Sequence, residues 1–291
     1  MNILILGDSG FVGNVVNKTI SKDNEFSLNY IDNFRVGEID YRSVIEEKIE
    51  QNNIEVIVNC IAMANVDLCE ENKEQCFQVN VDFVRVLADI CKDKNIRLIH
   101  ISSNAVYGGA DYPYSENSIK KPVNYYGECK MMADDYIEKV LVDYAIVRPI
   151  TVYGPKNKNE RHNPVTFYIE KLMKGENINL VDDNYVNMLH VDDLALCLNK
   201  ILKEKLKGSF NLSGDISECR YDLGYRICSV CGFPHNLIKK VSGSEFKTKA
   251  KRPYNTSFDN TKMKKTLKIK PKNLDNSILE IYKKMKNEKN N

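Results

Sequence analysis

The stretch YYGECK, residues 125–130, contains a tyrosine and a lysine at a spacing suited to acid–base chemistry. In a helix, Tyr126 and Lys130 at positions i and i+4 share one face, whereas Tyr125 has no such partner. A tyrosine with a pKa of about 10 is a poor acid or base at neutral pH, and a neighbouring cation lowers that pKa by favouring the phenolate. The pair therefore predicts a proton-transferring Tyr126 tuned by Lys130, and an incidental pair on a surface helix is an equal alternative from these residues alone.

A serine segment, HISSNAVYGG at residues 100–109, supplies a second polar group. A strand candidate runs into Ser103, and the carboxyl edge of a doubly wound sheet is where such folds place their ligands. At that edge we expect Ser103 to hydrogen-bond a substrate carbonyl alongside Tyr126.

A glycine loop, GDSGFVG, follows the first apolar segment. Gly7, Gly10 and Gly13 suit a backbone that turns sharply, approaches a pyrophosphate and packs a helix tightly on a sheet, with the helix N-terminus facing the anion. Because the loop joins a strand to a helix, it predicts a dinucleotide site. The next strand ends in YIDNF, where Asp32 can accept hydrogen bonds from the adenosine ribose, which slightly favours NAD over NADP. A turn or capping role for Asp32 is the alternative, and Arg35 is close enough in sequence to take a 2′-phosphate.

The elements that must position these groups alternate regularly in the first half of the chain. Apolar segments predict strands at 2–6, 27–31, 55–60, 97–102, 144–149 and 209–214. The segments of helical period between them are VGNVVNKTISK, RSVIEEKIEQN, DFVRVLADICKDK and MMADDYIEKVL. Strand and helix in repetition predict an α/β fold, a doubly wound parallel (Rossmann) sheet with helices on both faces.

The alternation fades after Gly154. A polar loop precedes a predicted helix near 164–174, and HVDDLALCLNKILKE predicts a helix with Asp192 or Asp193 at its start. SFNLSG is interpreted as a return to the sheet. We therefore predict that the second lobe is assembled from separate segments of the chain.

Two domains follow from this organisation. We predict a dinucleotide-binding domain at 1–155 and a smaller, mainly substrate-binding lobe at 156–291, with segments near 188–214 returning to the first domain.

NSILEIYKKMK keeps apolar positions at helical spacing, so a solvated last helix is favoured over an RNA-binding tail.

Composition argues against several classes of partner. A formal net charge of +2, from 42 basic and 40 acidic residues, provides no global field to hold nucleic acid or a membrane surface, so a small molecule is favoured.

The nine cysteines are scattered, and the close pair Cys228 and Cys231 lies in a predicted apolar helix ending at Gly232, so free buried thiols are expected rather than a metal site. Free thiols are typical of a reducing cytoplasm. MNILILG has neither the basic lead nor the apolar length of a signal peptide or membrane span, and it predicts the first strand.

Three motifs together resemble those of the extended short-chain dehydrogenase/reductases, the NAD-dependent epimerase/dehydratase superfamily: GDSGFVG the cofactor loop, SSNAVYG the serine segment and YYGECK the Tyr/Lys motif. By this resemblance, Ser103, Tyr126 and Lys130 are the catalytic residues. Three further segments, IDYRSVIEEKIEQNNIEVIVNCIAMANVDLCE, GGADYPYSE and KRPYNTSFDNTKM, are similar to the dTDP-4-dehydrorhamnose reductase branch. The resemblance implies a reductase that transfers hydride from NAD(P)H to the 4-keto group of a dTDP-4-keto-6-deoxyhexose, in cell-surface polysaccharide biosynthesis.

The resemblance also implies which residues hold the cofactor. Tyr126 and Lys130 would contact it from one side, and loops at the ends of the strands would hold the rest. The expected loop residues are Gly7, Ser9, Gly10, Phe11, Val12, Gly13, Asp32, Asn33, Asp40, Tyr41, Ala62, Met63 and Ala64.

A nucleotide-sugar substrate needs contacts of its own. Asn104, beside the serine, and Arg252, in KAKRPYN, are expected to bind it, because a guanidinium fits phosphate oxygens in a fork. A solvated basic patch with Lys247, Lys249 and Lys251 is the alternative for Arg252. A homodimer through two helices beside the sheet is a further family expectation.

Some positions depart from the reductase branch. Asn104 and Ala105 replace the Asp-Glu pair of the 4,6-dehydratases, which argues against a dehydratase. Asn104 also replaces an aspartate of the reductase pattern, and SSNAVYG, DNF and MLHVDDLA are closer to the nucleotide-sugar epimerases, so an NAD-dependent epimerase stays open. A non-catalytic dinucleotide-binding regulatory subunit is a third hypothesis, and the intact serine, tyrosine and lysine argue against it. Val15 stands where the metal-bridged reductase dimers carry a glutamate, so no metal is expected.

Three further polar residues are expected to be structural. Arg148 should brace the end of the sheet, and His190 should orient a loop or cap a helix. Asn80, in FQVNV, should bridge backbone groups, and a cofactor-side role is the alternative.

Overall fold

The computed structural model describes residues 1–32, 34–37, 40–157, 162–246 and 248–290 of the 291-residue chain. The strands are β1 Asn2–Leu6, β2 Ser27–Asn29, β3 Val56–Asn59, β4 Arg97–Ile101, β5 Tyr144–Pro149, β6 Val152–Tyr153, β7 Ile178–Val181, β8 Leu189–His190, β9 Gly208–Leu212 and β10 Ile238–Val241. The α-helices are α1 Phe11–Ile20, α2 Tyr41–Asn52, α3 Val66–Glu71, α4 Lys73–Phe77, α5 Phe83–Asp93, α6 Tyr125–Val140, α7 Pro164–Met173, α8 Val191–Lys203, α9 Arg220–Cys231 and α10 Leu274–Asn290.

Six strands form one sheet in the order β2-β1-β3-β4-β5-β9. Each neighbouring pair is parallel, which requires the chain to cross back over the sheet between strands, and helices make those crossings. Because the strands are parallel, the carboxyl ends of β1, β3 and β4 meet at one edge. The predicted doubly wound sheet is confirmed.

The side chains of β1 show how helices come to cover both faces. Ile3 and Ile5 belong to the core cluster that includes α1 and α8, whereas Leu4 and Leu6 belong to the cluster that includes α2, α5 and α6. All four are at most 2% exposed. Alternate residues of a strand point to opposite faces, so a continuous apolar strand needs a helical layer on each side.

Two predicted boundaries differ from the structure. β2 ends at Asn29 rather than at residue 31, and the hydroxyl of the next residue, Tyr30, donates to Asn17 Oδ1 of α1 at 2.7 Å. The start of α8 is capped by His190 rather than by Asp192 or Asp193: His190 Nδ1 accepts from the Asp192 N–H at 3.2 Å, and both aspartates lie in the first turn. The expected helix-capping role of His190 is thereby confirmed.

The second half of the chain builds on the edge of the sheet. β9 pairs with β5, which confirms that SFNLSG returns to the sheet, and α8 packs on α1. Two small parallel pairs, β10 with β7 and β6 with β8, lie outside the main sheet. The division into domains at residue 155 stays a prediction.

The cysteines and the last helix follow the sequence. All nine cysteines are free thiols, and all but Cys60 and Cys231 are buried. α9 ends at Gly232, whose φ of 75° is the left-handed conformation that glycine adopts without strain. α10 buries Ile278 and Ile281 and leaves its other face to solvent. None of the helices in the described ranges combines the length and apolar character of a membrane span.

Candidate active site

The glycine loop between β1 and α1 depends on glycine at two positions for reasons internal to the fold. Gly7 has a φ of +82°, and a Cβ on Gly13 would lie 2.0 Å from the Gly7 carbonyl oxygen. The loop can therefore press α1 against the end of β1 only with these residues. Gly10 differs, because the nearest atom to its Cβ would be 3.5 Å away.

The N-terminus of α1 faces out of this loop. Gly10 is the N-cap and offers no side chain to the first turn, so the N–H groups there are available to an anion. Ser9 and Gly10 are exposed, and Phe11 and Val12 are half-buried. The loop has the form of a phosphate cradle whose open side lies at Gly10.

The residues after β2 that were expected to hold the cofactor lie in different environments. Asp32 is exposed in a turn, and Asn33 lies outside the described residues. Asp40 caps α2, where its carboxylate accepts from the Ser43 hydroxyl at 2.7 Å and from the Ser43 N–H at 3.4 Å. Tyr41 packs edge-on against Phe83 with ring centroids 5.4 Å apart. Asp40 and Tyr41 thus have structural contacts, and their cofactor roles stay predictions.

The loop after β3 lies against the glycine loop. A Cβ on Gly7 would be 3.0 Å from the Ile61 side chain, so the two loops are in contact. Beyond Ile61, Ala62 and Ala64 are exposed, and Met63 is half-buried. The Asn80 side chain binds the backbone of this segment. Its Oδ1 accepts from the Met63 N–H and its Nδ2 donates to the Met63 carbonyl oxygen, both at 3.1 Å. The backbone-bridging role expected of Asn80 is confirmed.

Helix α6 brings Tyr126 to the serine at the end of β4. Tyr126 is 7% exposed and Ser103 is 9% exposed, and the serine side chain is close enough to affect the pKa of the phenol. The approach is close because Gly127 has no side chain: a Cβ there would lie 2.2 Å from the Ala105 carbonyl oxygen. Asn124 fixes the start of α6 by accepting from the Gly127 N–H at 2.9 Å. Ser103 and Tyr126 are therefore neighbours at this edge of the sheet, and their joint contact with a substrate carbonyl stays a prediction.

The acidity of Tyr126 differs from the sequence expectation. Burial raises its pKa to about 12, although the nearby Ser103 side chain acts to lower it. The expectation of a lowered pKa was wrong for this structure because the low-dielectric surroundings disfavour the phenolate. At neutral pH Tyr126 is therefore a protonated phenol, a form suited to giving a proton rather than taking one.

Lys130 lies fully buried one turn after Tyr126. Its Nζ donates to the Ile101 carbonyl oxygen at 2.9 Å and lies 3.0 Å from His100 Nε2. Burial lowers the Lys130 pKa to about 8. The lysine is thus anchored to the end of β4, beside a histidine that sequence reasoning did not single out.

His100 and its neighbour Asn59 could have been found from the sequence. Asn59 is the last residue of β3 and His100 is the last but one of β4, and the structure pairs them directly in register. Asn59 Nδ2 lies 3.1 Å from His100 Nδ1, and both side chains are fully buried. Polar residues at matching positions near the ends of adjacent apolar strands are the signal that was missed.

The second lobe reaches the serine through Asn104. Its Nδ2 donates to Thr256 Oγ1 at 2.7 Å, and the Thr256 N–H donates to the Tyr185 carbonyl oxygen. Asn104 is thus placed between Ser103 and the chain segment that follows Arg252. This position fits the expected substrate contact, which stays a prediction.

Arg252 is engaged in an ion pair. Its guanidinium donates to Asp67 at 2.7 Å and to the Ala250 carbonyl oxygen at 3.1 Å. Burial acts to raise the Asp67 pKa, but hydrogen bonds from the Ala250 N–H and from Arg252 hold it below its usual value. Nearby, Lys249 pairs with Glu71, Lys251 is exposed, and Lys247 lies outside the described residues. The structure therefore shows Arg252 bound to an acid, which any phosphate would have to displace.

Two further expectations concern charge. Arg148, in β5, is buried and forms ion pairs with Asp134 at 2.7 Å and Glu138 at 3.1 Å, both in α6, which confirms that it braces the end of the sheet. In the described ranges, no group of three or more histidine, cysteine, aspartate or glutamate side chains is placed to hold a metal ion.

Known proteins match this chain over most of its length. A probable low-salt glycan biosynthesis reductase of Haloferax volcanii is 24% identical over 270 residues, which cover 89% of this chain and 90% of the relative. The methionine adenosyltransferase 2 subunit beta of Pongo abelii is 26% identical, covering 90% of this chain and 81% of that protein. The crystal structure of a hypothetical dTDP-4-dehydrorhamnose reductase from Sulfolobus tokodaii superposes with a TM-score of 0.78 at 26% identity, covering 91% of this chain and 94% of that one. The profile of the RmlD substrate binding domain family matches residues 1–287, and the chain belongs to that family.

Proposed function

We propose that the protein is a nucleotide-sugar reductase that transfers hydride from NAD(P)H to the 4-keto group of a dTDP-4-keto-6-deoxyhexose, in cell-surface polysaccharide biosynthesis. The observation that carries the proposal is the buried, neighbouring pair of Ser103 and Tyr126 at the sheet edge that also holds the glycine loop. Family membership and two relatives named as reductases support it.

The loops at this edge fit a dinucleotide. The N–H groups at the start of α1 would hold the pyrophosphate, and the open space at Gly10 lets it approach the backbone. Asp32 would bind the adenosine ribose, with NADH slightly favoured, and Ala62–Ala64 would line the opposite wall. The bound cofactor supplies the hydride.

Tyr126 and Ser103 act on the keto oxygen. Tyr126, protonated at neutral pH, donates its proton as negative charge develops on that oxygen, and Ser103 donates a hydrogen bond to it. Lys130, one helical turn further on, holds the nicotinamide ribose. Ser103 lies in the turn that follows β4, and this turn packs on α6, so the chain's main contribution is positioning.

The nucleotide sugar would lie between the two lobes. Asn104 contacts the sugar from the sheet side, and Arg252 binds the diphosphate after exchanging the Asp67 carboxylate for phosphate oxygens. Most of the substrate lobe comes from residues 156–291. A homodimer through helices beside the sheet and a cytoplasmic location, consistent with the nine free thiols, complete the proposal.

The test is the loss of reduced-nicotinamide absorbance when the protein meets a dTDP-4-keto-6-deoxy sugar generated in place, with NADH and NADPH in separate reactions. Stoichiometric loss that Tyr126→Phe abolishes is expected. Tightly retained oxidised nucleotide with no net consumption would instead identify an epimerase.

The similarity to the methionine adenosyltransferase 2 subunit beta favours one other candidate, a dinucleotide-binding regulatory subunit. Such a protein would bind NAD(P)H and neither consume it nor interconvert sugars. Cofactor binding without turnover, measured by titration of the same preparation, would support that candidate over the reductase.

A further inference from the structure

A buried row of hydrogen bonds connects β3, β4 and α6 beneath the site. Asn59, His100 and Lys130 are each 0% exposed. Asn59 Nδ2 lies 3.1 Å from His100 Nδ1, and His100 Nε2 lies 3.0 Å from Lys130 Nζ. The histidine thus joins an amide on one side to an amine on the other.

The contacts of Asn59 determine which atom donates and which accepts in each hydrogen bond of this row. The Ile61 N–H, which can only donate, lies 3.0 Å from Asn59 Oδ1, so the oxygen of that amide must face it. The amide NH₂ group therefore faces His100, and because it too can only donate, His100 Nδ1 must be the nitrogen with the free lone pair. Burial lowers the His100 pKa well below its usual value, so the ring is neutral. A neutral ring with a bare Nδ1 carries its proton on Nε2.

This tautomer has a consequence for Lys130. The Nε2–H of His100 points at Nζ, and an ammonium group has three N–H donors and no lone pair to accept it. A neutral amine can accept from His100 while it donates to the Ile101 carbonyl oxygen at 2.9 Å. Protonated Lys130 would have to break one of the three hydrogen bonds in the row.

We propose that Asn59 and His100 are positioning residues that lock this tautomer, so that protonation of Lys130 has to break a hydrogen bond of the row. The lock is a property of these three side chains and the Ile61 backbone, and its importance for turnover rests on the proposed function. The lowered Lys130 pKa, about 8, agrees with it.

The other titratable groups around Lys130 act in the opposite sense. Asp134, Cys129 and Cys76 raise its proton affinity, and Tyr126 lies one turn away on the same helix. Asp134 is already paired with Arg148 at 2.7 Å, so its charge is largely compensated. His100 is the neighbour that opposes protonation through a directed hydrogen bond.

Asn59→Asp, a substitution of nearly identical shape, should reverse the tautomer of His100. The introduced carboxylate accepts from the Ile61 N–H and also from a proton on His100 Nδ1, which leaves Nε2 to accept from a Lys130 ammonium. Nitrogen-15 NMR of histidine-labelled protein without substrate distinguishes a protonated ring nitrogen from a bare one, and His100→Gln assigns the signal. We expect a bare Nδ1 and a protonated Nε2 in the wild type, and the reverse in Asn59→Asp.

A second readout connects the lock to Lys130. If turnover needs the ammonium, the alkaline limb of kcat against pH should move up by about 1 to 2 in Asn59→Asp, because the conflict between two donors is removed. Asn59→Leu is the uncharged control and should move the limb in the same direction by a smaller amount, since His100 is then free to change tautomer.

A wild-type His100 protonated on Nδ1 would overturn the proposal, as would an Asn59→Asp variant in which His100 still carries a bare Nδ1. If Asn59→Asp fails to fold, the wild-type spectrum still decides. The spectrum needs no turnover, so failure of the reductase assay and failure of the lock are separate results.

Discussion

Replacing Gly127 by alanine should damage catalysis far more than folding. The added Cβ would lie 2.2 Å from the Ala105 carbonyl oxygen, whereas ordinary contact begins at 3.4 Å, so about 1 Å of separation is missing. The atom in the way is a backbone oxygen, which cannot rotate aside as a side chain could. Ala105 belongs to the segment that carries Ser103, and Gly127 directly follows Tyr126. Relief therefore has to move the serine and the tyrosine apart.

The magnitude follows from that displacement. A misplacement of about 1 Å costs roughly 100-fold in rate, and overpacking costs about 1–3 kcal/mol in the free energy of unfolding. We expect kcat for NAD(P)H oxidation to fall about 100-fold in Gly127→Ala. The affinity for the cofactor, measured by fluorescence titration, should change little, because the glycine loop after β1 is untouched.

Gly175→Ala is the matched control. Gly175 has a φ of +70° and no atom within 4 Å of its Cβ position, so alanine there strains the backbone by about 1 kcal/mol without moving the site. Its kcat should stay within about twofold of the wild type. Wild-type turnover in Gly127→Ala, or an equal loss of kcat in both variants, would refute the argument that close packing of α6 on the serine segment positions Tyr126.

Three other outcomes follow from the site. Tyr126→Phe should abolish turnover and leave cofactor binding nearly intact, whereas Tyr125→Phe should be much milder; equal losses in steady-state assays would contradict the assignment of the acid. Asp67→Asn should release Arg252 and lower KM for the nucleotide sugar with little change in kcat, and an unchanged KM would count against a diphosphate contact. Lys130→Met should abolish turnover yet raise the free energy of unfolding at pH 7 by about 1–3 kcal/mol, because the folded-state pKa of about 8 lies below the unfolded value of 10.5 and burial of the ammonium costs most below pH 8. Denaturant unfolding that shows Lys130→Met to be less stable at pH 7 would contradict that pKa.

The order of elements was predictable from sequence because it depends on local patterns. The apolar strand β1, the glycines that follow it and the helical period of α1 are all read within about 20 residues, and the backbone has few ways to satisfy them. Tyr126 and Lys130 share a helix face for the same reason. The sequence predicted a helix start near His190 but favoured aspartate at the cap, because aspartate is the commoner capping residue. In the structure His190 is the cap, since its Nδ1 accepts from the Asp192 N–H.

Electrostatics at the site depended on distant parts of the chain. The i, i+4 spacing suggested that Lys130 lowers the Tyr126 pKa, but the lysine reaches His100 and Ile101 instead, and burial raises the pKa of the phenol. The Arg252 ion pair joins residues 185 positions apart, and no local pattern indicates it.

The sequence by itself determined a doubly wound sheet with a glycine loop, a strand-end serine and a tyrosine–lysine helix, because periodicity and turn chemistry act over short distances. Only the tertiary structure decided which polar groups meet and which are charged. Desolvation and hydrogen-bond direction depend on every neighbour at once, and the neighbours of Lys130 come from β4 and α6, which the chain brings together only on folding.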